Sequence, residues 1–151
     1  MADSKRPKET VSYTMSRIRS KNTKPEVIVR KYLFSRGLRY RKNDKRYPGC
    51  PDIVLPKHRT MVFVNGCFWH MHEGYPCFAM PKTRPEFWTP KLTRNRARDI
   101  HNIEQLQGMG WRVIVVWECE LKPKLKDSRL KVLFDEIIMS NTSDKKGNHF
   151  E

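Results

Sequence analysis

The chain has 151 residues, 31 of them Lys or Arg against 16 Asp or Glu, for a formal net charge of +15. A domain of that length buries roughly 70% of its unfolded surface, so its core needs no staples. An apolar fraction of 38% and a mean hydropathy of −0.75 argue against a membrane span. The longest uninterrupted apolar run, Val113 to Trp117, is too short for a bilayer, and there is no N-terminal stretch of signal-peptide type, so a cytoplasmic protein is expected.

In chain order, residues 1–20 form a basic segment expected to order on DNA, with Met15 and Ile18 suggesting a short helix over 12–20. Residues 21–140 are expected to be one domain and 141–151 a polar tail. Thr23-Lys24-Pro25-Glu26 predicts a capping box with proline in the first turn. The helix that follows should turn Val27, Ile28, Leu33 and Phe34 inward and end at Gly37. Leu38 to Arg41 alternates like a half-buried strand. Two β-rich runs, Ile53 to Leu55 and Thr60 to Val64, flank Lys57-His58 and predict a hairpin. A helix is predicted over Lys91 to Met109, with Ile100, Ile103 and Leu106 inward and a basic opposite face. Trp111 to Trp117 reads as a buried strand, and Ser128 to Met139 as a last helix with Leu130, Leu133, Phe134, Ile137 and Ile138 inward. This order predicts an α/β domain with a mixed sheet covered by helices.

The charge is uneven: residues 1–60 carry 17 basic and 5 acidic side chains. Such a field concentrates polyanions, nucleic acid first, although a solubilising surface or an anionic membrane would also account for it. The four cysteines, Cys50, Cys67, Cys77 and Cys119, suit metal binding or buried thiols in a reducing compartment better than disulfides.

Three constellations carry chemistry. Pro51-Asp52 opens a strand, where a carboxylate is placed to hold Mg²⁺ against a phosphate, although Pro-Asp is also a common turn. Pro-Asp, hairpin and strand form the core layout of PD-(D/E)xK nucleases, but the second strand ends Phe63-Val64-Asn65, with no acid or lysine where the E-x-K pair would stand. Cys67, His72 and Cys77, with distant Cys119, offer thiolates and an imidazole for tetrahedral Zn²⁺. His70 competes with His72 as ligand, Cys50 is spare, and buried thiols beside a surface histidine are the plainer alternative. Phe68-Trp69, on an expected strand, would face opposite sides. They are either core or an apolar wedge that unstacks base pairs, least expensively at a mismatch.

Pro48-Gly-Cys-Pro-Asp52, Asn65-Gly-Cys-Phe-Trp-His-Met-His72, Thr83-Arg-Pro-Glu-Phe-Trp88, Asn95-Arg-Ala-Arg-Asp99 and Gly110-Trp-Arg-Val-Ile-Val-Val-Trp-Glu-Cys119 occur in that order. Together they resemble the very short patch repair (Vsr) endonucleases over residues 10–121. The resemblance implies a restriction-endonuclease-like (PD-(D/E)xK variant) fold with a mixed central sheet and a structural zinc site. It further implies a Mg²⁺-dependent nickase that cuts beside the thymine of T·G mismatches left by deaminated 5-methylcytosine. In that family likeness Asp52 is the metal-binding catalytic aspartate, and His70 is the general base or acid. Asp99 and Glu26 are orienting acids, and the Val64 carbonyl is the second Mg²⁺ contact. Asn65 stands where the family often has histidine and can hydrogen-bond a water. Cys67, His72, Cys77 and Cys119 would hold Zn²⁺. Phe68 and Trp69 would form the wedge, with Met15 entering from the other groove. Duplex DNA with a T·G mismatch is the implied partner, mismatch-repair proteins are candidates, and a bacterial, nucleoid-associated monomer is expected. A restriction-type nuclease cutting paired DNA and a non-catalytic zinc-stabilised DNA-binding module are the alternatives.

Overall fold

A computed structural model of the protein describes residues 23–149, with side chains through residue 139. The expected segment 1–20, its helix and Met15 lie outside the described residues.

Helix α1 (Lys24–Ser35) opens with the expected capping box: the Glu26 N–H donates to the Thr23 hydroxyl, and the Thr23 N–H donates back to the Glu26 carboxylate. It closes in a Schellman turn. Gly37 adopts φ +85°, its N–H reaches Phe34 O, and the Leu38 N–H reaches Leu33 O. Leu38 therefore packs as the apolar partner of that cap, and the expected strand from Leu38 shrinks to β1 (Arg41–Lys42). Strands β2 (Ile53–Leu55) and β3 (Thr60–Asn65) pair antiparallel around a short 3₁₀ turn at Pro56–His58, and β4 (Arg112–Trp117) lies parallel to β3. The sheet order is β1-β2-β3-β4. Helix α2 (Pro85–Gly108) makes the crossover from β3 to β4, and α3 (Lys126–His149) follows β4.

The strand pleat sorts the core. Ile53, Leu55, Val62, Ile114 and Val116 pack with Val29 and Leu33 of α1 and Leu130, Leu133 and Ile137 of α3. On the opposite face Val54, Met61, Phe63 and Val113 meet Leu106 of α2. Helices on both faces explain why β2 is buried at all three residues. Truncating Leu133, which is wholly buried, would cost about 2–5 kcal/mol.

Three apolar assignments fail for one reason, a helical period read one residue off. Phe34 is 63% exposed, Ile100 47% and Ile138 37%. The positions facing inward in α1 are Glu26, Val29, Arg30 and Leu33. Helix α2 starts at Pro85 rather than Lys91, with Pro85 in its first turn and Pro90 inside the helix. Polar side chains along its length mark the face that meets the cleft described next.

Candidate active site and metal centre

The parallel strands β3 and β4 end together, at Asn65 and Trp117. Ligand clefts form outside the carboxyl ends of such strands. Here a cleft of about 1120 Å³ is lined by Glu26, Asn43, Asp52, Val64, Asn65, Phe68, Trp69, His70 and Asp99, among others. Residues from α1, the start of β2, the end of β3 and the inner face of α2 thus converge.

Asp52 accepts the Val64 N–H at 2.7 Å, which fixes its rotamer. Burial pushes its carboxyl up to about 7, with the Glu26 charge adding to the rise and the Val64 N–H and His70 opposing it. Glu26, 1% exposed, is engaged on both oxygens. One accepts Arg30 at 3.1 Å and the Asn43 amide at 2.8 Å. The other belongs to the α1 cap. His70 Nδ1 lies 2.6 Å from the Asp99 carboxylate of α2, leaving Nε2 as the second ring nitrogen. Asn65 is buried at the strand end.

The segment after β3 is not the strand that alternation assumed. The His70 N–H donates to Gly66 O, Met71 to Phe68 O and His72 to Cys67 O, so Gly66–His72 winds through consecutive turns. The difference follows from α2, whose Asn95 amide donates to Trp69 O at 3.2 Å and whose Arg96 donates to Met71 O at 2.8 Å. These carbonyls take side-chain donors where a strand would use a neighbouring strand. Arg96, on the helix expected to carry a basic face, acts here as a buttress.

That winding separates the two histidines. His70 faces the cleft. His72 joins Cys67, Cys77 and Cys119, and the four ligand atoms all lie within 4.8 Å of one another. His72 Nδ1 is 3.0 Å from Cys77 Sγ and 3.5 Å from Cys119 Sγ. Tetrahedral zinc bonds of about 2.0–2.3 Å require edges of roughly 3.5–3.8 Å, so small adjustments complete the site, closing the longest separations and opening the His72–Cys77 one. The His72 ring is sandwiched between Trp117 at 3.9 Å and Tyr75 at 4.0 Å, both stacked nearly parallel to it. Burial lowers the His72 pKa and favours the neutral ring that a ligand must present. Burial also raises the Cys67 thiol to about 12 and lifts that of Cys119, so a bound cation would displace protons. Three soft thiols and an imidazole fit Zn²⁺. Cys50 stands apart from this group, in the cleft wall.

Phe68 and Trp69 are half-buried at the cleft, edge to face at 5.0 Å, and both contact Trp88 of α2, at 5.3 and 5.9 Å. They are neither core nor isolated. Trp88, Asn95 and the Asn43 bridge to Glu26 were missed by sequence reasoning. Trp88 lay in a quoted motif, but only the fold shows what it supports.

A family model described as DNA mismatch endonuclease Vsr matches residues 3–76 of the chain. A type II nicking enzyme of Neisseria meningitidis serogroup A is 54% identical over 130 residues, covering 83% of this chain and 90% of its own length. A type II nicking enzyme of Xanthomonas oryzae pv. oryzae is 48% identical over 124 residues, 82% and 90% of the two chains. The DNA mismatch endonuclease Vsr of Escherichia coli is 41% identical over 133 residues, 87% and 85% of the two.

Proposed function

The chain belongs to the DNA mismatch endonuclease Vsr family, and on that premise we propose that it nicks one strand of duplex DNA beside the thymine of a T·G mismatch. The observation that carries the reading is the meeting, in one cleft, of Asp52 and the His70–Asp99 pair with the Phe68–Trp69 aromatics.

Asp99 holds the Nδ1 proton of His70, so Nε2 is the nitrogen that takes a proton from an attacking water. In a β-ladder the N–H and C=O of one residue point the same way, and the Val64 N–H points at Asp52. The Val64 carbonyl therefore faces Asp52, and the two would hold Mg²⁺, a cation that favours such hard oxygen donors. When bound, the ion neutralises charge on the phosphate and acidifies water. Glu26, with both oxygens committed, keeps Asn43 and the start of β2 in place, which makes it a positioning acid. Asn65 orients water by hydrogen bonding.

Phe68 and Trp69, backed by Trp88, enter the base stack. Unstacking costs a few kcal/mol per step and least at a mismatch, so discrimination arises where the pair is already weak. The Cys67–His72–Cys77–Cys119 group would bind Zn²⁺ and fix the loop that bears wedge and base. DNA is the substrate, which the charge of +15 suits. Among the described residues no helix is long and apolar enough to cross a membrane.

A nicking assay on T·G and T·A duplexes with Mg²⁺ tests the reading. Cutting of T·G alone is expected, abolished by Asp52→Ala and lowered about 10- to 100-fold by Phe68→Ala with Trp69→Ala, as a few kcal/mol implies. Equal cutting of both duplexes would refute mismatch specificity, and an active Asp52→Ala would refute the site.

A further inference from the structure

We infer that Lys45 is a phosphate-contacting residue of this cleft and supplies positive charge that the strand itself lacks. The inference rests on reading the cleft as a phosphodiester-cutting site. Four carboxylates line it, Glu26, Asp52, Asp99 and Glu118, against two lysines, Lys45 and Lys91. Displacement at phosphorus builds negative charge on the equatorial oxygens, and a site so acidic needs fixed cations facing them. Strand β3 ends Phe63-Val64-Asn65 and offers none. Lys91 comes from α2, and its ammonium lies 5.6 Å from the Phe87 ring centre, on the aromatic side of the cleft. Lys45 comes instead from the loop that leads into Asp52.

That loop is fastened at both ends and along its length. Asn43 gives its amide to Glu26 at 2.8 Å and its N–H to Asp52 O at 3.1 Å. The Asp44 N–H reaches Pro51 O, and the Cys50 N–H reaches Tyr47 O. Asn43, Gly49 and Cys50 all have positive φ, so the chain doubles back beside the carboxylates. A Cβ on Gly49 would meet the Asn102 amide at 3.0 Å and Phe63 at 3.2 Å, which shows how closely the loop is pressed onto α2 and β3.

The loop's other charges cancel. Arg46 grips the Asp44 carboxylate with two side-chain bonds, at 2.9 and 2.7 Å, and with its own N–H. Among the described residues no carboxylate pairs with Lys45. Lys45 is thus an exposed, uncommitted cation on a braced loop, lining the same cleft as Glu26 and Asp52.

The test compares the full-length protein with Lys45→Met, Lys45→Arg and Lys57→Met. Lys57 lies in the turn at the other end of β2 and controls for net charge. Two quantities are measured: the single-turnover nicking rate on a T·G duplex with Mg²⁺, and duplex affinity against salt without divalent cation. Lys45→Met should reduce the slope of log affinity against log salt by about 0.9, the loss of one phosphate contact. It should also slow nicking about tenfold or more. Lys45→Arg should keep the slope, and Lys57→Met should keep both. An unchanged slope with a rate within twofold in Lys45→Met, or an equal loss in Lys57→Met, would overturn the inference. Failure of the unaltered chain to nick would count against the reading of the cleft, and the salt slope would still decide whether Lys45 touches phosphate.

Discussion

Two clusters of ligand-type residues each draw a histidine from one short loop and differ in almost every physical respect. Cys67, His72, Cys77 and Cys119 form a soft donor set, largely buried, with the imidazole clamped between two aromatic rings. Asp52, Glu26, His70 and Asp99 form a hard, charged set around an open cleft. Closed tetrahedral sites serve structure, whereas open sites with perturbed carboxylates serve chemistry. The turns of Gly66–His72 assign each histidine to one of them, so the soft cluster fixes the loop that also carries His70.

This dependence should run one way, and variants can break it. His70→Ala should lower nicking about 10²- to 10⁴-fold, the usual contribution of a general base, while bound zinc, measured by chelator release, stays at one per chain. Zinc loss in that variant would mean that His70 and His72 are not divided as described. Cys119→Ser should lose zinc and nicking together. A loss of about 3 kcal/mol would lower Tm by roughly 10 °C, readable by calorimetry. An unchanged Tm would show that the cluster does not hold the fold.

The last effect, read on stability alone, concerns Asp52. Its folded carboxyl is raised from 3.8 to about 7, so the native state holds a proton that the unfolded chain releases between those values. Metal-free protein should therefore lose stability as pH rises from about 4 to 7. Asp52→Asn cannot ionise and should melt roughly 10 °C higher than the unaltered chain at pH 8, with the difference vanishing near pH 4. Equal melting at both pH values would show that the carboxylate is not strained.

Much of this was legible in the chain. The capping box, the hairpin, the last strand and the Cys/His quartet are local patterns or ligand chemistry, and each carries its own signature. The Gly66–His72 turns were not legible, because what bends them is Asn95 and Arg96 on a helix some 25 residues away in sequence. The same holds for Glu26, whose capping role is local while its bond to Asn43 spans 17 residues. Exposure of Phe34, Ile100 and Ile138 escaped because an apolar residue beside the true inner stripe fits the helical period nearly as well. The order of the site residues was plain and the family likeness had already divided their roles, but the contacts that hold them in place come only from the fold.

The contact between Asp52 and Val64 spans 12 residues and closes within a hairpin, whereas His70 to Asp99 spans 29 and His72 to Cys119 spans 47. Closing a longer loop costs more chain entropy, and non-local pairings form more slowly. A nascent chain can therefore assemble the carboxylate half of its site early and yet lack the imidazole and the aromatics until the crossover docks. Folding intermediates would therefore hold the carboxylates with nothing facing them across the cleft.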